Sequence, residues 1–256
     1  MSAPDLTVYT APAPNGIKIT AALEYLGLPY NVRTLALSKM EQKEPWYLEI
    51  NPNGRIPALV DNTDGKNVHL MESGAILLYL TDKYDPEYKL SYPAGTKEYY
   101  EVLEWTFWQV GGIGPMQGQA LHFLRYCATD NKDVIAYGFD RYKNEVRRLY
   151  SVLESRLIKQ KTELNSQYVV GDHISIADII ILSWVLFDTY TDIDSNEFPA
   201  VLEWQDRISS IPSVKKGLDT PSPLTIKELA KDAAAVKALA ETNKGWIKDQ
   251  LEAQKK

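Results

Sequence analysis

The feature that most constrains this chain is a change of pattern near residue 97. Strand and helix signals alternate over residues 6–83, and every segment after residue 97 carries helical periodicity. Leu6–Thr10 reads as a short strand that ends in the Pro-rich break APAP. Asn15 and Gly16 open an apolar-periodic segment that stops at Gly27, the residue type that ends helices in a left-handed conformation. Tyr30–Leu37 reads as a second strand and Trp46–Ile50 as a short helical turn. The loop signal Asn-Pro-Asn-Gly at 51–54 precedes a strand at Ile56–Val60, and Val68–Met71 completes a hairpin across the turn-like 61–66. Ser73 begins a helix that runs to about Lys83.

That order, β-α-β, a connector, then β-β-α, predicts a thioredoxin-like sheet with helices on both faces over residues 1–84. Residues 85–96, rich in proline and polar side chains, read as a linker to an all-helical domain at 97–217, giving an α/β plus all-α protein. In the second half Ile135, Phe139, Tyr142, Val146, Leu149, Leu153 and Leu157 step by three or four, as one buried helix face requires. A helix near Glu98–Gln109 is expected to break at the Gly-Gly-Ile-Gly-Pro run 111–115. Ser175 and Asp178 make a capping box, with Ile174 placed to staple onto Ile179. Pro199 opens a helix to about Ser210, and 218–256 reads as a helical extension interrupted at Asn243-Lys244-Gly245.

A chain of 256 residues suits two ordinary domains. Its net charge of −6 gives no footprint for nucleic acid or an anionic membrane. The most apolar run, Ile179–Phe187, is far shorter than the roughly 20 residues that span a bilayer. The single cysteine, Cys127, excludes an internal disulfide and a dithiol exchange motif. His69, His122 and His173 lack metal-ligand spacing, so no metal is expected. The segment MSAPDLTVYT has no signal-peptide character, and a cytoplasmic location is the expectation.

Three segments converge in such a sheet, and each offers a different contact to a small peptide. A cis Ile56–Pro57 bond would turn the Ile56 main chain outward to pair with an extended ligand. Ser73, read as an N-cap, would present helix amide groups to a carboxylate, with Glu72 beside it for an ammonium group. A γ-glutamyl end carries that pair. Asn15 at the start of the first helix, with Tyr9 and Thr10 as rivals, could donate to a thiol sulfur. A free thiol is only about 3% thiolate at neutral pH, and lowering its pKa by about two takes roughly 2.7 kcal/mol. One hydrogen bond to a charged group supplies about 1.5–3 kcal/mol, so one amide donor is sufficient in magnitude.

APAPNGIKIT, NPNGRIPALVD, ESGAILLYL, FWQVGGIGPMQGQALHF and SIADI, in that order, resemble the nu-class glutathione transferases and the related fungal nitrogen-regulator-like transferases. The resemblance covers residues 6–217 and implies a homodimer that binds glutathione in its N-terminal half and a second substrate between the halves. It implies that Asn15 meets the thiol, Gln42 the glycine end, Ile56 before Pro57 the cysteinyl main chain, and Glu72 and Ser73 the γ-glutamyl end. Arg141 would reach the ligand across the dimer, and Met116 and Phe123 would line an apolar second-substrate pocket. Ala13 stands where bacterial relatives often carry a threonine. The implied activity is conjugation of glutathione to electrophiles. The alternatives are glutathione-dependent reduction of disulfides or peroxides, and a ligand-binding or regulatory role without turnover.

Overall fold

A computed structural model describes residues 3–127, 129 and 131–253. In chain order the first part contains β1 (Leu6–Thr10), α1 (Ile17–Leu26), β2 (Asn31–Thr34), α2 (Pro45–Leu48), β3 (Ala58–Asp61), β4 (Val68–Met71) and α3 (Ser73–Tyr84). The strands form one sheet in the order β2-β1-β3-β4, with β1 parallel to β2 and antiparallel to β3. This is the thioredoxin-like arrangement expected. Two boundaries move. β2 shrinks to four exposed edge residues, and β3 begins at Ala58 because Pro57 has no amide hydrogen for the ladder. The Ile56–Pro57 bond is cis, as is Thr220–Pro221.

α1 closes as expected at Gly27 (φ 68°), but its first turn differs from the sequence reading. Gly16 and Ile17 donate to the Ala13 carbonyl, and Gly16, not Asn15, holds the N-cap position. From Ile17 to Leu23 every residue of α1 is buried. α3 covers part of it, and α9 (Pro212–Leu218) packs backbone to backbone elsewhere. A Cβ at Gly217 would stand 2.3 Å from the Ala21 Cα, so only glycine permits this approach.

The remainder is helical. α4 (Lys97–Trp108), capped by the Thr96 hydroxyl, does not stop at the glycine run. It passes through a π-turn at Gln109–Ile113 into α5 (Gly114–Leu121) and a second π-turn at His122–Tyr126. Pro115 crowds the carbonyl four residues before it, and the widened turn gives that group room. α6 (Lys132–Leu164) is the 33-residue spine of this half. α7 (Ile176–Val185), with every residue buried, starts at the expected capping box. Asp178 there accepts from the Ser175 and Val169 amides and the Trp204 indole.

α8 (Pro199–Ser209), α9, α10 (Ile226–Leu229) and α11 (Ala233–Ala253) complete the chain. α11 runs unbroken through 243–245, where the sequence suggests an interruption. Ordinary helix propensities at Asn and Lys, with only one glycine at 245, leave the helix intact. The end of the expected extension, 254–256, lies outside the described residues, as do residues 1 and 2. One hydrophobic core runs from Leu6 in the sheet to Val236 in α11. Among the described residues no helix is long and apolar enough to cross a membrane.

Candidate functional site

A cleft of about 630 Å³ opens where the start of α1, the start of α3 and the α4–α5 helix face one another. Asn15, Lys18, Glu72 and Ser73 line it from the sheet side, and Gln109, Gln119, His122 and Trp184 from the helical side. Of the three rivals for a sulfur contact, only Asn15 is there. Tyr9 packs with Trp46 and Tyr47 at ring separations of 6.1 and 6.0 Å. Thr10 is fully buried, and its hydroxyl donates to the Ala11 carbonyl.

Asn15 is freed from capping because its side chain serves another partner. Trp184 Nε1 on α7 donates to Asn15 Oδ1 at 2.9 Å. An indole N–H can only donate, so the amide oxygen must face it. The amide's donor end, Nδ2, is then the polar group left for a ligand. Gly114 makes room for this arrangement, since a Cβ there would stand 3.4 Å from Trp184 Nε1.

At the start of α3 the N-cap position belongs to Glu72 (φ 68°, ψ 114°), and Ser73 is the first helical residue. This corrects the reading of Ser73 as the cap. A glutamate in the left-handed region is strained backbone of the kind that gathers at ligand sites. It leaves the first amide groups of α3 without side-chain caps, beside the Glu72 carboxylate. Lys18 lies behind them, where its Nζ donates to Ser73 Oγ (3.2 Å) and Gln109 Oε1 (2.9 Å). Burial pulls this ammonium down to about 7, against a raising influence from Glu72.

Other expected residues stand apart from the cleft wall. Gln42 is buried with Oε1 unpartnered, against the loop that leads to Ile56. That loop is pinned by Tyr47 Oη and Asn51 Nδ2, both donating to the Arg55 carbonyl at 2.6 and 2.7 Å. Ile56 packs on Leu35, Tyr47 and Ala58, before the first paired residue of β3. Arg141 sits exposed on α6, near Glu145 and outside the cleft of its own chain.

Met116 and Phe123 do not line the cleft; Phe123 stacks on Tyr142 and lies against Gly138. The wall is instead mixed, with Gln119, His122 and Tyr126 beside Val110, Pro115 and Ile247. The π-turn adds a residue to its helix and rotates the next turns by roughly 100°. Burial holds the His122 imidazole below its ordinary pKa. Sequence reasoning missed Lys18, Gln109 and Trp184; a lysine within an all-round apolar helix was the one available signal. Among the described residues no group of three or more His, Cys, Asp or Glu side chains could hold a metal.

The glutathione S-transferase N-terminal domain profile matches residues 4–82 and the C-terminal domain profile residues 120–212. The chain belongs to the glutathione transferase family. It is 42% identical to disulfide-bond oxidoreductase YfcG of Escherichia coli over 83% of this chain and 94% of that protein. It is 36% identical to glutathione S-transferase 1 of Schizosaccharomyces pombe over 80% of this chain and 91% of that one. A glutathione transferase homologue from Lodderomyces elongisporus, solved with two glutathione molecules per subunit, superposes with a TM-score of 0.79. It is 44% identical and covers 85% of this chain and 99% of its own. The chain is therefore an enzyme of this family, with glutathione conjugation as the family's reaction.

Proposed function

We propose that the cleft binds glutathione with its γ-glutamyl end at Glu72 and Ser73 and its sulfur at Asn15 Nδ2. The single observation that carries this is the Trp184–Asn15 hydrogen bond, which turns the amide donor away from the indole and toward the ligand side. A carboxylate suits the uncapped amides of α3, and an ammonium group suits Glu72. Gln42, with its unpartnered oxygen, and the Ile56 main chain extend the same contact line toward the cysteinyl and glycyl units.

Asn15 stabilises the thiolate, which attacks an electrophile entering from the helical side; the new bond is sulfur to carbon, and the leaving group takes the displaced electron pair. The polar groups of Gln119, His122 and Tyr126 on that side favour a second reading for some substrates. In that reading the electrophile is a disulfide sulfur, and the departing thiolate carries the electron pair. Ala13 supplies no hydroxyl to assist either reaction.

The same reading includes a homodimer. Tyr100 and Phe107 on α4 and Tyr137 on α6 are 57%, 63% and 75% exposed, large apolar surface that suits an interface between copies. Arg141 is one turn beyond Tyr137, so that interface would carry it toward the partner's ligand. Sedimentation of wild type and Phe107→Glu checks this, with dissociation of the variant the expected result. For the reaction, turnover of an aryl halide and of a small disulfide is compared in wild type and Asn15→Ala. Loss of rate in the variant supports the assignment. Glutathione binding without either turnover removes the catalytic reading, and unchanged rates in the variant remove Asn15 from it.

A further inference from the structure

From Ile17 to Leu23 every residue of α1 is buried, and the two polar ones are Thr20, whose hydroxyl donates to the Gly217 carbonyl, and Lys18, the one charged residue, 2% exposed. A buried ammonium is costly unless an anion meets it. Lys18 Nζ instead donates to two neutral oxygens, Ser73 Oγ and Gln109 Oε1. Its cavity neighbour Gln109, fully buried, carries an orphan donor: Nε2 has no acceptor. Two buried donor groups thus meet at one end of the cleft with acceptor capacity missing between them. We propose that Lys18, held by Gln109, is the charged positioning residue for a ligand carboxylate at Ser73. This rests on the reading of the cleft as a glutathione site and names the group that answers the ligand's α-carboxylate charge.

The geometry assigns each proton a direction. Because Lys18 donates to Ser73 Oγ, the serine's own hydrogen is turned away from the lysine and is available to the ligand. Gln109 belongs to the π-turn of the helical half, so the same lysine ties the start of α3 to the wall that faces the second substrate. Burial holds the free ammonium near 7, and an arriving carboxylate favours its charged form. Ligand binding above neutral pH therefore takes up a proton.

Other charged or titratable groups face or flank Lys18. Glu72 and Arg55 are the charged side chains that line the cleft beside it. His122 is held below its ordinary value. α7 presents the neutral Trp184 to this cleft, and Lys215 and Lys216 of α9 are paired with Asp219 and Glu24.

The test is calorimetric titration of the full chain with S-methylglutathione, which has no thiol proton, in buffers of different ionisation enthalpy. Wild type is expected to lose about tenfold in affinity between about pH 6.5 and about pH 8.5, with growing proton uptake. Lys18→Met is expected to bind at least about tenfold more weakly at the lower pH and to lose the lysine's share of the pH dependence. The ligand amine titrates equally in both proteins, so the difference between them isolates Lys18. Wild-type binding without proton uptake, or a variant that keeps it, overturns the proposal while leaving the glutathione site standing. Absence of any wild-type binding overturns both. If that variant fails to fold, Lys18→Arg takes its place: its guanidinium stays charged over this range, so it is expected to keep the affinity and to lose the lysine's share of the proton uptake, and an uptake equal to wild type overturns the proposal.

Discussion

Trp184 of the helical half donates to Asn15 of the sheet half at 2.9 Å, across 169 positions of sequence. The proposed sulfur donor is thus oriented by a residue of the helical half. Trp184→Phe keeps the ring and removes the donor, which lets the Asn15 amide turn. The expected result is a loss of about fivefold in kcat/KM, the worth of about 1 kcal/mol of hydrogen bonding. Asn15→Ala is expected to lose about 10–100-fold, since it removes the contact to charged sulfur. In both variants the thiolate absorbance of bound glutathione should appear at higher pH than in wild type.

Gly114→Ala tests the same arrangement by sterics. Alanine is the better helix former by about 1 kcal/mol. Its Cβ would nevertheless stand 2.9 Å from Gln109 Nε2 and 3.4 Å from Trp184 Nε1. Overpacking of this kind costs about 1–3 kcal/mol, so the two effects largely offset in stability. Activity has no such offset. A thermal midpoint within a few degrees of wild type, with kcat/KM reduced at least as far as in Trp184→Phe, is the expected pair of results.

Such contacts explain which parts of the molecule were legible in its sequence. β1, β4, α3 and the Ser175–Asp178 box depend on neighbours a few positions away, and local pattern found them. The glycine run 111–115 reads as a break because glycine and proline disfavour helix. Yet Gly112 and Gly114 are there to admit Leu149 and Trp184 from distant positions. Asn15 looks like a cap until Trp184 claims its oxygen, and Lys18 looks like an ordinary charge until α9 covers its helix. Pro115 reads as a helix stop, yet the chain answers it with a π-turn, and Met116 and Phe123 lie off the cleft face.

Asp61 gives the sheet half an acid sensitivity. Burial by itself would raise this carboxyl, but hydrogen bonds from Lys83, the Thr63 amide, Tyr79 and Tyr84 outweigh it and hold the group well below the usual carboxylate range. A depressed folded-state pKa means that the unfolded chain binds the proton first. The stabilisation is therefore complete above the ordinary carboxylate range and is lost as pH falls through it toward the folded value. Asp61→Asn should cost about 1.5–3 kcal/mol near neutral pH, with the gap to wild type narrowing on acidification. Urea unfolding at several pH values measures both.

α11 closes one side of the cleft. Val236 and Ala240 are buried, Asn243 Nδ2 donates to Tyr126 Oη at 3.3 Å, and Ile247 lines the cavity. The helix also reaches the turn at Leu37–Lys39 in the sheet half, so it bridges both walls. Ending the chain after Asp232 removes these contacts and leaves the Asn15, Lys18 and Ser73 cluster intact. Loss of one buried valine and one alanine costs about 2–3 kcal/mol, which a domain of this size survives. Glutathione KM should change less than twofold, because none of its proposed contacts lies in α11. Bulky electrophiles should gain in kcat/KM relative to small ones, as the cleft is then open on the Tyr126 side. Equal change for bulky and small electrophiles would show that α11 supports the fold without shaping the second-substrate site. Paired kinetics on two aryl halides of different size, with a thermal melt as control, separates the two outcomes.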